Sequence, residues 1–362
     1  MDKRIGYSSA FLLAALCADA CAPALAAAPR YTISDLGVLP SGGWSTGYGL
    51  NAAGVVVGSG SSSNDGYYHA VLWKAGHLRD LDPPTNSGSQ ASAVNNANFV
   101  AGTSLGDAFG TERAMVWAGR NRIDLGSLPG TPASEAEDIN DANQVVGSVL
   151  YTYDHTQAFL WQHGTMMGLG TLGGRSSAAY GINASGQIVG GADTTGRKQH
   201  AFLWHDGAMT DLGTPPGWTM AIAMAISDNG RIVGTGTTAG GATRAFSYVN
   251  GTWTVIGAIG ADTISEAEDV NSAGYVVGFS RTSYEGADNS QPDAEAESAP
   301  QADSEHAWLY ANGTLHDLGT LIPVNSGWAL VRADAINEAG QIAGTGWSPS
   351  GGQHGYLLTP IP

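Results

Sequence analysis

Seven copies of one short string decide what this chain can fold into. The string is an apolar residue, Asn, a short polar turn ending in Gly, and a Val-Val-Gly-like tail. Its Asn falls at 51, 95, 140, 183, 271 and 337, with Ser at 227, so the steps are 44, 45, 43, 44, 44 and 66 residues. A second string, "HAFLW", begins at His69, Arg113, Gln157, His200, Arg244, His306 and His354 in its seven forms. A third, "DLG", begins at Asp35, Asp80, Asp124, Gly168, Asp211, Val255 and Asp317. A fixed period of this length means stacked supersecondary units, each unable to bury its apolar face alone.

Each unit breaks into four short apolar segments. In the fourth they are "AAYGI" (178–182), "QIVGGA" (187–192), "HAFLW" (200–204) and "AMTDLG" (208–213). Short strands separated by Gly, Asn or Asp form a meander. Four strands per unit predict an all-β, seven-bladed β-propeller with four-stranded blades. Gly is abundant (52 residues) and charge is sparse (13%), as suits short strands and many turns. The first "DLG" precedes the first Asn string, and the last "HAFLW" equivalent is followed only by "TPIP". The N-terminal strand is therefore expected to pair into the last blade and close the ring. An open β-solenoid is the alternative, and it would need capping repeats.

The "HAF" at His200–Phe202 and its sister copies resemble the HAF-repeat family of extracellular bacterial β-propeller-like proteins. The resemblance covers about Tyr31 to Leu358, and Ser227, Gly168 and the "HGYLL" ending are its departures. It implies an extracellular repeat protein and carries no activity with it.

The first 28 residues read as a signal peptide. Lys3 and Arg4 make a basic start, "SAFLLAALCA" is an apolar stretch too short to span a bilayer, and "ALAAAP" supplies small residues for cleavage near Ala26 or Ala28. The rest, 29–362, reads as one propeller domain, secreted to the periplasm or the exterior. Both cysteines, Cys17 and Cys21, lie in the leader, so the mature chain has no thiol chemistry. A net charge of −17 excludes nucleic acid and anionic membrane as partners. Carbohydrate or protein ligands remain.

The repeated residues read as scaffold. The Asn opens a turn that its side chain caps and Gly completes. Pairs such as Asp206-Gly207 and Asn250-Gly251 suit type I′ hairpins. Trp73, Trp117, Trp161 and Trp204 recur at one strand position, which predicts packing between blades. The His of "HAFLW" alternates with Arg and Gln, all donors, which predicts hydrogen bonding across blades and not catalysis.

Function is expected where the copies disagree: the loops between strands two and three and the blade-to-blade connections. Those connections are read as holding Trp44, Trp218 and Trp328, Arg175 and Arg332, and the two "SEAED" strings. The strand 2–3 loops are read as long, holding Tyr151, Tyr153, His155, Arg197 and Trp347. Glu135, Asp138, Glu266 and Asp269 of the "SEAED" strings are candidate Ca²⁺ ligands, although their spacing matches no standard calcium loop. No other cofactor is implied. Residues 284–305, with seven carboxylates and no base, read as an acidic loop insertion. "GTSLG" (102–106) matches G-x-S-x-G, but Gly102 is a repeat glycine and no strand–turn–helix surrounds it.

Two functions follow. One is a binding module working through the variable-loop face. The other is a propeller lyase or hydrolase acting on extracellular polysaccharide, with a Tyr or His base beside an Arg.

Overall fold

In the computed structural model, residues 30–62, 66–82, 87–105, 111–152, 155–282 and 305–361 are described. Residues 1–29, which include the expected signal peptide, and 283–304, which include all but Glu305 of the expected acidic insertion, lie outside them. The strands group into seven four-stranded antiparallel sheets, which form a seven-bladed β-propeller. Six blades are sequential meanders. Blade 4, for example, runs through Gly173–Ile182, Ile188–Thr194, Gln199–His205 and Ala208–Gly213. Blade 7 takes Ala329–Ile336, Ile342–Trp347 and Gln353–Ile361 from the C-terminus and Arg30–Asp35 from the N-terminus. The register Tyr31↔Pro360 to Asp35↔Tyr356 closes the ring as expected. First strands of successive blades touch one another all the way round, so they form the inner wall.

The core is divided among the seams between blades. Val57, Leu72, Val100 and Trp117 pack between blades 1 and 2, and Trp73 meets Ala335 and Ala343 between blades 7 and 1. Phe202 and Trp204 meet Val146 and Leu160 between blades 3 and 4. The recurrent Trp is thus a packing residue. The hairpin turns also match expectation: Asp206 and Gly207 have φ of 50° and 84°, and Asn250 and Gly251 have 48° and 84°. Two consecutive positive φ values define type I′ geometry.

The repeat glycine of the second strand has a steric cause. A Cβ at Gly102, Gly147, Gly190, Gly234 or Gly278 would lie 2.0 Å from a carbonyl oxygen of the inner strand, at Gly344 2.1 Å, and at Gly58 2.0 Å from Thr46 O, which precedes that strand. In six blades the inner strand carries a register shift at one repeat position, for example between Ala136 and Asp138. Such a bulge displaces the local backbone, and only Gly fits opposite it.

The Asn string does more than cap its own turn. Asn140 Oδ1 accepts from the N–H groups of Ala142 and Gln144, while its Nδ2 donates 3.1 Å to Asn183 O in the next blade. The turn is local and the amide is a link between blades.

Candidate functional site

Antiparallel meanders put the strand 1–2 and 3–4 turns on one face and the 2–3 loops and blade connections on the other. The loops are uneven: in blades 4 and 5 they are the tight turns at 195–198 and 239–242, whereas in blades 2 and 6 the third strand begins only at Arg113 and Glu305. Arg197, with φ of 57°, is exposed at the tip of the blade 4 turn.

The "SEAED" strings, Arg175 and Arg332 do not lie in connections. They sit on inner strands, Ala133–Ile139, Ile264–Val270, Gly173–Ile182 and Ala329–Ile336. Trp218 likewise opens an inner strand, Trp218–Ile226, because these strands continue past the point where alternation of apolar residues ends. Facing the central bore, the other four carry polar residues at alternate positions. Aligned by repeat they read Ser-x-Ala-x, with Val331 in place of Ser in blade 7. The Ser hydroxyl of Ser89, Ser134, Ser177 and Ser265 accepts the third-strand Ala N–H of the preceding blade. The Ala is buried in the seam, as at Ala136, Ala179 and Ala267. The x positions hold Glu135 and Glu137 in blade 3, Glu266 and Glu268 in blade 6, and Arg332 and Asp334 in blade 7.

The bore is therefore rich in carboxylates, and their surroundings differ. Burial, then the charges of Glu135 and Asp138, push the Glu137 carboxyl up to about 7. Burial pushes Asp138 up to about 6 even though Ile139 and Ile182 donate backbone N–H groups at 2.7 and 2.8 Å. Burial likewise pushes Asp269 up to about 7, against bonds from Val270 and Ile336 at 2.7 and 2.8 Å, with Asp138 adding repulsion. Asp138 and Asp269 each tie one inner strand to the next. Their oxygens are engaged by amides, and among the described residues no three His, Asp or Glu side chains group as a metal site. Arg332 is committed too. It bonds Glu268 and Asp334 at 3.1 Å each and lies 4.0 Å over the Phe279 ring.

The His of "HAFLW" pairs within its blade, not across blades. His69 meets Asp80 at 2.8 Å, and His200 meets Asp211 at 2.9 Å. The third and fourth strands are paired neighbours, with Asp80 opposite Val71 and Asp211 opposite Phe202, so each Asp lies diagonal to the His two residues away and within its reach. His354–Asp35 at 2.9 Å is the same pair across the ring closure. His306 departs from this, reaching Asp262 of the preceding connection at 2.9 Å.

The aromatic candidates are spread over the ring. Trp44 lies 5.9 Å from Tyr68, Trp218 packs edge-on against Phe246 at 6.3 Å, and Trp328 against Tyr356 at 6.1 Å. Each supports a different blade. Tyr151 stacks on His155 at 4.6 Å and bonds Gln157 at 3.1 Å. Trp347 ends a strand of blade 7, paired with Ala329. Tyr153 lies outside the described residues.

One of these residues lines an open groove of about 590 Å³ on the variable-loop face. Trp328, Pro323, Asn325 and Ser326 of the blade 6–7 connection form one side. Thr32, Ile33 and Asp35 of the closing strand form the other, and Pro349 and Ser350 of a blade 7 turn complete it. Sequence reasoning found Trp328 and missed the rest. The signal was a spacing. Asp317 precedes Val331 by 14 residues, where Asp124 precedes Ser134 and Asp211 precedes Ala221 by 10. The extra chain builds the wall, and it carries Val324, 98% exposed.

No protein-family description and no curated protein matches the chain. Solved propellers do. The β-propeller domain of the Trilobed protease from Pyrococcus furiosus is 8% identical with a TM-score of 0.54, over 89% of this chain and 94% of that one. YCF48 bound to D1 peptide is 12% identical with a TM-score of 0.50, over 94% and 97%. These likenesses are of fold.

Proposed function

We propose that this chain is a secreted binding module of the HAF-repeat type that holds its ligand on the variable-loop face, in the groove beside Trp328. The groove carries the reading. It is concave, it combines an indole and two prolines with small polar side chains, and it sits on a rigid ring. A leader-like N-terminus supports secretion. The fold also occurs in YCF48, whose structure holds a peptide. The alternative, catalysis on polysaccharide by a base from Tyr151–His155 beside Arg175 or Arg197, has less support, because Tyr151 already bonds Gln157 and stacks on His155.

The test is a screen of the purified chain against polysaccharides and peptides, reading both binding and new reducing or unsaturated ends. Binding without new ends, lost in Trp328→Ala, is expected. Binding indifferent to that substitution would overturn the placement, and new chain ends would overturn the non-catalytic reading.

A further inference from the structure

We propose that the groove takes an extended basic peptide segment, which adds as a fifth strand to the open edge of Arg30–Asp35. This rests on the groove reading above and names its ligand.

Two hydrogen bonds fix which backbone groups the closing strand leaves open. Leu36 N–H donates 3.0 Å to Gly355 O, into the blade, and Tyr31 N–H donates 3.0 Å to Leu321 O, away from it. In an antiparallel strand neighbouring residues turn to opposite sides. Tyr31, Ile33 and Asp35 therefore direct their N–H and C=O groups outward. Leu321 already occupies Tyr31. Ile33 and Asp35 follow directly along the strand, and both line the groove. A row of open donors and acceptors is a template for another strand.

The surroundings specify what that strand carries. Trp328, Pro323 and Pro349 give an apolar wall for every second side chain. Asp35 is the one charged residue in the lining; its carboxylate holds His354 at 2.9 Å but stays 39% exposed, and on a chain of net charge −17 Lys or Arg is favoured over Asp or Glu. Other outer strands have edges as well, but the lengthened connection that supplies the facing wall belongs to the blade 6–7 junction. A sugar would use the indole and the hydroxyls and leave the edge of Ile33 and Asp35 unused. The observations therefore favour peptide.

A random-peptide display library panned on the full chain tests this. Enriched peptides should be cationic with alternating apolar residues. Ile33→Pro removes one outward N–H while leaving the bonds to the Gln353–Ile361 strand in place, because those belong to Thr32 and Ser34. It should cut affinity about tenfold or more, with a smaller fall in melting temperature from the lost packing of Ile33 against the blade 6–7 core. Should Ile33→Pro fail to fold, Asp35→Asn supplies the second reading, a weaker and less salt-sensitive affinity. Peptides that need Trp328 but tolerate Ile33→Pro would overturn strand addition and keep the groove. Polysaccharide binding lost in Trp328→Ala, with no enriched peptide, would overturn the ligand class and keep the groove. A concentration-dependent dimer abolished by Ile33→Pro, with no enriched peptide, would assign the edge to a second copy. Acidic peptides, or binding untouched by every variant, would overturn the proposal outright.

Discussion

The side-chain amide of Asn337 donates to the backbone carbonyl of Asn51 at 3.0 Å, across 286 positions of sequence. The same bond joins Asn51 to Asn95, Asn95 to Asn140, Asn140 to Asn183, Asn183 to Ser227, and Asn271 to Asn337. A belt of amides thus runs round the turn face and joins the last blade to the first. It is broken at one seam. Ser227 has no amide to reach Asn271, and Asn229 donates to Ser272 O at 2.7 Å instead, at an exposed site.

Ser227→Asn should complete the belt. Asn at this position accepts the turn N–H groups in every other blade, so the substitution keeps the local cap and adds a buried bond. A gain of about 1 kcal/mol is expected, read as a higher denaturant midpoint with an unchanged slope. The reverse change elsewhere, Asn140→Ala, removes two donated and two accepted bonds at a buried position and should cost roughly 3 kcal/mol or more.

Gly190→Ala should be among the most damaging single-methyl additions. The new Cβ would meet Ala178 O at 2.0 Å and the Phe202 ring at 2.8 Å. Both neighbours are fixed, one as backbone and one as a fully buried ring. The expected loss is roughly 3 kcal/mol or more in chemical denaturation. Gly207→Ala is the comparison: its Cβ meets nothing within 4 Å, and only its φ of 84° opposes the side chain, so its cost should be nearer 1 kcal/mol.

The architecture was legible because repetition is a long-range signal readable along the chain. Blade number, strand order, the hairpin turns and the ring closure all follow from where three strings recur. Side-chain partners were less legible. His200 and Asp211 are neighbours because their strands pair, but whether a His reaches within its blade or beyond it depends on side-chain direction, as His306 shows by choosing Asp262. The site was legible least. Its walls come from residues 32–35, 323–328 and 349–350, which only the closed ring brings together. Polar residues on the inner strands resemble loop in sequence because a bore, like solvent, accepts Glu135 and Arg332 in a strand.

Deleting residues 31–37 should lower the melting temperature sharply. The deletion removes the outer strand of blade 7, the fully buried Tyr31 and the His354–Asp35 pair. It also exposes Tyr356 and Leu358, now part of the blade 6–7 core. Asp35→Asn keeps the strand and weakens only the pair, so it should shift melting by a few degrees at most. Equal effects from the two changes would show that the strand itself contributes little to closure.

Stability should rise as the medium is acidified from about pH 8 to about pH 5. Glu137 and Asp269 are raised to about 7 and Asp138 to about 6, while in the unfolded chain these carboxyls release their protons near pH 4. Between those limits the folded chain binds more protons than the unfolded one, so folding is favoured as pH falls through 7 and 6. Above about pH 8 all three are charged in the wall of the bore and their burial is opposed. Glu137→Gln removes one of these charges at a position without a backbone bond. It should raise the melting temperature at pH 8, leave it nearly unchanged at pH 5, and flatten the profile between. Asp269→Asn should flatten the profile as well but gain less at pH 8, because the carboxylate that accepts from Val270 and Ile336 is lost with the charge. A melting temperature that falls steadily from pH 8 to pH 5 in the native chain, and does so equally in Glu137→Gln, would show that these carboxyls are not what sets its pH response.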